Sequence, residues 1–186
     1  MKKILMTLVV AAMAVSANAQ LYVGGGVGLT SSKWDTDGAE NVTSYKFIPE
    51  IGYNFTDDMA VGIAFGWVGS NKGGAKAFSM NPYFRYTFLK QGMVSVFADA
   101  TVGYEHAYSN VQYNNIPRKS IDGIEAGIRP GVAFNVTDKF SVVAHVGFLG
   151  WEQLKLDNYV GGTEKQNNYG LDLDGNNLSL SLYYNF

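Results

Sequence analysis

The last nine residues of the chain alternate strictly between apolar and polar side chains. One parity holds Leu178, Leu180, Leu182, Tyr184 and Phe186, and serine, tyrosine and asparagine fill the other. Successive side chains of a strand point to opposite faces, so this segment has one apolar and one polar face. A strand left at the edge of a sheet exposes unpaired backbone groups. The pattern therefore predicts the closing strand of a β-barrel whose apolar face lies in lipid.

The first residues have the pattern of a secretory signal peptide. Two lysines precede an apolar run from Ile4 to Val15, and a small-residue cleavage motif ends at Ala19. An apolar run of this length is too short to remain as a membrane helix. We expect a signal peptide over residues 1–19, cleaved after Ala19, and one barrel domain over residues 20–186.

The amino-acid composition excludes several kinds of functional site. It has no cysteine, which excludes disulfides and thiolate ligands, and its formal net charge of −2 gives no reason to expect a nucleic-acid partner. No later stretch approaches the roughly 18 consecutive apolar residues of a membrane helix. We find no catalytic motif and expect no cofactor, no metal site and no enzymatic activity.

Eight segments alternate with period two, and tight turns alternate with longer connections between them. Short turns are expected at residues 56–58, 89–92 and 137–139, and long connections at residues 30–43, 70–75, 107–120 and 151–176. Trp151 breaks the parity of its segment, which indicates a bulge or strand end near Leu149. The predicted strands cover residues 21–30, 44–55, 59–69, 76–88, 93–106, 121–136, 140–150 and 177–186.

The charged residues of these segments keep to one parity, and the other parity is almost purely apolar and aromatic. A soluble lipocalin-like barrel would turn its apolar parity inward. Several charges facing lipid would each cost about 2–4 kcal/mol, so the charged parity is expected to face a lumen. We predict an all-β fold: an eight-stranded antiparallel up-and-down transmembrane β-barrel. A β-sandwich with an aromatic core is the alternative.

The signal peptide, the eight alternating segments and the aromatic end resemble the porin-like outer-membrane β-barrel family. Its small members are typified by OmpX and the membrane domain of OmpA. The resemblance implies the outer membrane of a Gram-negative-type bacterium, with outer-membrane lipid and lipopolysaccharide as neighbours. It also implies that the strand ending at Phe186 is the signal recognised by the barrel assembly machinery. A monomer is expected.

An eight-stranded barrel encloses a lumen that side chains can fill. Such a polar network must be nearly fully paired to be tolerated. The alternative is a narrow pore, because the inward parity also carries many glycines. The residues that we expect to form a plugging network are Glu50, Arg85, Asp99, Glu125, Arg129 and His145.

The predicted long connections differ in charge. Acidic residues prevail in the first and last connections, which barrel closure makes neighbours. A basic patch for lipopolysaccharide phosphates, divalent ions or a surface ligand is expected in the other two connections. Simple solvation of the loops explains the same charges. The patch consists of Lys72, Lys76, Arg118 and Lys119.

These patterns predict a structural or surface-interaction role for the barrel, with a plugged lumen. The alternative is a narrow porin-like channel for small, even apolar, solutes. A surface lipid-modifying enzyme is third, because His106 lies at the predicted rim beside Glu105 and near Ser109. A nucleophile needs a base within hydrogen-bonding reach, which sequence alone does not reveal.

Overall fold

The computed structural model describes residues 21–32, 42–70, 76–108, 112–113, 116–158, 162–172 and 178–186. Every regular element within these ranges is a β-strand. No helix in the described part of the chain is long and apolar enough to cross a bilayer. The strands are β1 (Leu21–Ser32), β2 (Val42–Asn54), β3 (Met59–Ser70), β4 (Lys76–Gln91), β5 (Val94–Tyr108), β6 (Gln112–Tyr113), β7 (Ile116–Asn135), β8 (Phe140–Val146), β9 (Phe148–Asn158), β10 (Thr163–Asp172) and β11 (Leu178–Asn185).

Eight of these strands close into a ring. Each is antiparallel to both neighbours, in the order β1-β2-β3-β4-β5-β7-β8-β11, and β11 returns to β1. Beyond the ring, β9 continues the line of β8 along β7, and β10 pairs with β9. The predicted eight-stranded antiparallel barrel is therefore confirmed. A closed ring is the form in which strands pair their backbone groups within a bilayer.

Side chains alternate between the two faces of the sheet as the sequence predicts. On β4, Phe84 and Tyr86 are exposed, whereas Tyr83 and Arg85, which alternate with them, are buried. The outward parity of the other ring strands is likewise apolar and exposed, while polar side chains occupy the buried inward parity. This arrangement inverts the burial of a water-soluble protein and suits a barrel whose exterior contacts lipid.

Short turns join the strands at one end of the barrel. In the β2–β3 turn, the Thr56 hydroxyl accepts hydrogen bonds from the N–H groups of Asp58 (3.3 Å) and Met59 (3.0 Å). In the β7–β8 turn, the Thr137 hydroxyl accepts bonds from the N–H groups two and three residues later, at 3.2 and 3.0 Å. A threonine hydroxyl thus supports two of the three tight turns by the same local chemistry.

The turn between β4 and β5 differs from the prediction. It was expected at residues 89–92, but β4 continues to Gln91. A register shift between Thr87 and Leu89 inserts a bulge into the strand, which changes the parity of the residues beyond it. The apolar alternation in the sequence therefore ends before the strand does.

The predicted connection over residues 151–176 is wrong, because much of it is strand. Residues 148–157 of β9 pair with residues 163–172 of β10 in an antiparallel hairpin. The parity break expected near Leu149 lies at Gly147, whose φ of +74° separates β8 from β9. The hairpin continues beyond the apolar band of the barrel, so its outward side chains are polar beyond Trp151 and Tyr169, and its alternation is weak. For the same reason β7 begins at Ile116, inside the connection predicted over residues 107–120.

Candidate functional site

A buried ion pair lies in the lumen at the half of the barrel that carries the short turns. The Arg85 guanidinium donates to Asp99 from Nε to Oδ1 (2.7 Å) and from Nη2 to Oδ2 (2.8 Å). His145 Nε2 lies 2.9 Å from Asp99 Oδ2, and Arg85 Nη2 lies 3.8 Å from Glu50 Oε1. The side chains of Arg85 and Asp99 are 10% and 5% exposed. Four of the six predicted lumen residues therefore meet in one cluster.

Aromatic rings enclose this cluster. The Arg85 guanidinium carbon lies 4.0 Å from the centre of the Phe97 ring and 5.1 to 6.0 Å from three tyrosine rings. These distances allow cation–π attraction, which strengthens where the cation is desolvated. We call the set the plug. Its members are Tyr22, Glu50, Tyr83, Arg85, Phe97, Asp99, His145 and Tyr183.

The tyrosine hydroxyls complete the hydrogen bonding of the plug. Tyr83 and Tyr183 both donate to Glu50 Oε1. The Tyr22 and Tyr83 hydroxyls also bond to each other. Because Tyr83 gives its one proton to Glu50, Tyr22 is the donor in that second bond. Glu50 thus accepts from two hydroxyls and lies near Arg85, so its buried carboxylate has the partners that burial requires.

Every ring of the plug has a glycine as a cross-strand partner. Register pairs Tyr22 with Gly52, Tyr83 with Gly62, Tyr183 with Gly24, and Phe97 with Gly131. A Cβ atom on any of these four glycines would collide with the ring that covers it. The rings therefore fill the space beside these four glycines.

The remaining two predicted lumen residues form a separate pair on β7. The Arg129 guanidinium contacts the Glu125 carboxylate, and its carbon lies 5.6 Å from the centre of the Phe148 ring. The Arg129 and Glu125 side chains are 32% and 23% exposed, so they are more solvated than the plug. They line the wall of the lumen above the plug and do not close it.

Above the plug, toward the long connections, the lumen widens into a cavity of about 810 Å³. We call this cavity the vestibule. Its walls carry Lys46, Glu105, Glu125 and Glu152, and register places Glu125 directly opposite Glu152. Asn168 donates to Glu152 at 3.1 Å. Tyr83, Asp99 and His145 of the plug also line the vestibule, at its base.

The vestibule wall is interrupted between β1 and the last strands. Among the described residues, β1 pairs with β2 from Leu21 to Ser32, but with β11 only from Tyr22 to Gly25. Gly25 has a φ of +150°, and a Cβ there would collide with a β2 carbonyl oxygen, so a larger residue would not fit this bend. Beyond it, Val27 and Leu180 lie on the outward parity and still line the vestibule. We call this gap the seam.

The predicted basic patch is not assembled by the described side chains. Lys72 lies outside the described residues. Lys76 begins β4 and is exposed, opposite Tyr108 of β5. Arg118 and Lys119 belong to β7, but the structure does not describe their side chains. The patch therefore stays a prediction.

His106 belongs to an outer-face cluster that the sequence did not reveal. Its Nδ1 lies 2.6 Å from Asp122 Oδ1, and the Tyr104 hydroxyl donates to the same oxygen at 2.8 Å. Glu105 faces the vestibule on the opposite side of the sheet, and Ser109 lies outside the described residues. Asp122 is 16 residues away in sequence, and only the β5–β7 register brings it to His106.

Phe186 follows β11 at the closing edge of the ring. Its backbone N–H donates to the Leu21 carbonyl oxygen at 3.0 Å, and its ring packs edge-on against Tyr184, with centroids 5.1 Å apart. Among the described residues, no group of three or more histidine or acidic side chains is arranged to hold a metal ion.

Comparisons with known proteins agree with this architecture. The sequence model of a family described as "Outer membrane protein beta-barrel domain" matches residues 4–186. Neisserial surface protein A (NspA) is similar in structure at 17% identity and a TM-score of 0.50, over 89% of this chain and 97% of that chain. OprG from Pseudomonas aeruginosa is similar at 13% identity and a TM-score of 0.53, over 90% and 95%. No curated protein matches the sequence.

Proposed function

Because this chain belongs to the family of outer-membrane β-barrel proteins, we propose that it has a structural and surface-interaction role, with a lumen closed by the plug. The family and the two similar structures point to the Gram-negative outer membrane. The single observation that carries the closed lumen is the pairing of four inward rings with four cross-strand glycines around Arg85.

Electrostatics also favours a closed lumen over a conducting one. An ion that crossed the plug would have to separate Arg85 from Asp99 or displace the rings around them. Breaking a buried ion pair leaves a desolvated charge, at a cost of about 3–5 kcal/mol. The better solvated pair of Glu125 and Arg129 lies above this barrier and does not remove it.

Assembly and export complete this proposal. The signal peptide would be cleaved after Ala19, and the assembly machinery would recognise the strand that ends at Phe186. The backbone bond from Phe186 to Leu21 supports a role for this residue at the closing edge. We propose a monomer, because the ring pairs its strands within one chain. A surface ligand would reach the protein through the long connections.

Single-channel recording tests the closed lumen. The mature barrel, refolded and verified by its heat-modifiable migration in gels, is inserted into a planar bilayer at neutral pH. We expect no discrete openings. Reproducible openings whose size changes in Arg85→Gln or Glu125→Gln would contradict the proposal and indicate a pore lined by those charges. A Lys90→Gln variant, altered at the short-turn end, serves as the control for insertion.

The seam favours a second candidate function, a narrow path for small apolar solutes between the vestibule and the bilayer. Val27 and Leu29 beside it are 82% and 81% exposed, and Val27 and Leu180 line the vestibule from the lipid-facing parity. A solute on this path would enter sideways and leave the plug in place. Such a path needs no aqueous pore.

An apolar fluorescent naphthylamine dye tests the second candidate. Binding of the dye to the barrel in zwitterionic detergent should increase its fluorescence, and Val27→Gln should weaken that binding severalfold. Leu182→Gln is the matched control, because Leu182 is exposed on the same outer face but does not line the vestibule. Equal weakening by both substitutions would indicate general adsorption to the barrel and would reject the path.

A lipid-modifying enzyme is not our proposal. His106 and Asp122 could serve as a base and its orienting group, but acyl transfer by this chain also needs a nucleophile beside the base. In the described part of the chain, the hydrogen-bonding partner of the His106 ring is Asp122. The geometry of this cluster supports binding better than catalysis.

A further inference from the structure

Four ionisable side chains form a row across the outer face of β5, β7, β9 and β10. Register aligns His106 with Asp122, Asp122 with Lys155, and Lys155 with Lys165. The row lies on the lipid-facing parity, because Ile124, two residues beyond Asp122 on β7, is an exposed apolar residue of the barrel exterior. We call these four residues the rim row.

An aromatic belt lies directly below the rim row. Tyr104 is two residues from His106 on the same face, and Trp151 of β9 is paired with Tyr169 of β10. Tyrosine and tryptophan concentrate where a bilayer meets water. With about 3.3 Å per residue along a strand, the rim row lies within about 15 Å of these rings, toward the long connections. This is the level of lipid headgroups.

Hydrogen bonds orient the imidazole of the rim row. Asp122 Oδ1 accepts from the Tyr104 hydroxyl and lies 2.6 Å from His106 Nδ1. The Asp122 carboxylate accepts the Nδ1–H of the imidazole and fixes the orientation of the ring. Among the described residues Nε2 has no hydrogen-bonding partner, and the His106 side chain is 27% exposed. The Nε2 edge of the ring is therefore accessible to a group at the surface.

The two lysines of the rim row are directly opposite each other. Like charges in a cross-strand pair are destabilising unless a counterion separates them. Lys155 Nζ is 3.8 Å from Asp157 Oδ2, so it has one distant carboxylate, and Lys155 also interacts electrostatically with Asp122. The two lysines thus share this face with the carboxylates of Asp122 and Asp157, and a bound anion would relieve the repulsion between the lysines.

We propose that the rim row binds a phosphate group of an outer-leaflet lipid, namely the phosphorylated sugar of lipid A. Lys155 and Lys165 contact the phosphate oxygens, and the hydrogen-bonded pair of His106 and Asp122 lies beside them on the same face. The acyl chains lie against the apolar face below, which includes Val102 and Ile124. The proposal deepens the surface-interaction role and rests on the proposed outer-membrane location, with the long connections at the cell surface, but it does not depend on the closed lumen.

Native mass spectrometry of the refolded mature barrel in zwitterionic detergent tests this site. The probes are diphosphoryl lipid A and the same lipid after enzymatic removal of its phosphates. We expect one diphosphoryl lipid A to be retained per barrel, and the dephosphorylated lipid to be retained at least about tenfold more weakly. Equal retention of the two lipids would overturn the proposal.

Matched charge variants locate the binding. Lys155→Gln with Lys165→Gln should weaken retention of diphosphoryl lipid A by about tenfold or more, since each surface cation contributes about 1 kcal/mol toward an anionic lipid. Lys90→Gln with Lys139→Gln removes the same charge at the short-turn end and should leave retention unchanged. Lys155→Arg with Lys165→Arg should retain the lipid.

The outcomes separate this proposal from the proposed function. Unchanged retention in the Lys155→Gln, Lys165→Gln variant, with heat-modifiable migration intact, would reject the rim row as the site. Conductance through the lumen would reject the plug but leave lipid retention and its charge dependence as they are. If retention fell equally in the two glutamine variants, the binding would reflect overall charge, and the rim row would again be rejected.

Discussion

The phenol ring of Tyr83 on β4 occupies the space directly above Gly62, its cross-strand neighbour on β3. Three other inward rings have the same relationship to a glycine. A ring can lie across the neighbouring strand only where no side chain rises from it, so the glycines allow four large rings to meet in a narrow lumen. The closed lumen that we propose thus depends on residues without side chains as much as on the rings.

Substitution of Gly62 should destabilise the barrel. In Gly62→Ala the new Cβ would overlap the Tyr83 ring, which is held by Glu50 and Tyr22 and has little freedom to move. We expect a loss of about 1–3 kcal/mol in the free energy of unfolding, measured by urea titration in lipid vesicles with tryptophan fluorescence. Gly170→Ala, where nothing lies within 4 Å of the new Cβ, should change it by less than about 0.5 kcal/mol. Equal effects at both sites would contradict the role assigned to the ring.

Removal of two rings should open the plug. In Tyr83→Ala with Tyr183→Ala, Glu50 loses both hydroxyl donors and the space around Arg85 becomes available to water. We expect single-channel openings in planar bilayers that the unmodified barrel lacks. Tyr86→Ala, on the lipid-facing parity of the same strand, should remain silent. Silence from a correctly folded double variant would place the barrier to ions elsewhere in the lumen.

The two ion pairs of the lumen should differ in their importance for stability. Arg85→Leu leaves Asp99 and Glu50 buried without their guanidinium, at an expected cost of about 3–5 kcal/mol. Arg129→Leu breaks a pair whose side chains are 32% and 23% exposed, and should cost no more than about 1 kcal/mol. Urea titration of both variants under the same conditions measures the difference. A larger loss in Arg129→Leu would mean that the plug does not hold the main electrostatic contribution.

The threonines of the two supported turns should contribute similarly to stability. Each hydroxyl accepts two backbone N–H bonds, so Thr56→Ala and Thr137→Ala should each lower the free energy of unfolding by about 1 kcal/mol. Asp138→Ala changes the same turn without removing these bonds and is the matched control. An effect in the control as large as that in Thr137→Ala would assign the loss to the turn in general.

Much of the fold was predictable because alternation is a local property. A strand that separates lipid from a lumen shows its two faces in consecutive residues, as Tyr83 to Tyr86 do on β4. The prediction of strands failed where the two faces of a strand no longer differ in polarity. The β9–β10 hairpin extends beyond the apolar band, so Trp151 to Asp157 no longer shows a lipid face and a lumen face. A bulge near Thr87 shifted another boundary.

The sequence predicted which residues face the lumen, but not which of them contact each other. The inward parity of Arg85, Asp99 and His145 follows from the sequence, and so does that of Tyr83, an aromatic residue among polar ones. The sequence does not reveal that Glu125 and Arg129 pair separately from that cluster. Nor does it reveal where the adjacent residues Glu105 and His106 make their contacts. Glu105 lines the vestibule, and His106 contacts Asp122 on the outer face of the sheet.

The sequence by itself determined the strands of the ring and which parity faces lipid, because both are read from neighbouring residues. Only the tertiary structure determined which side chains contact each other. Tyr183 reaches Glu50 across 133 residues, and His106 reaches Asp122 across 16. These contacts are set by the register between strands and by the closure of the ring. Register is set jointly by the apolar faces of two strands, the turn between them and the closure of the ring, so the residues of one strand do not reveal it.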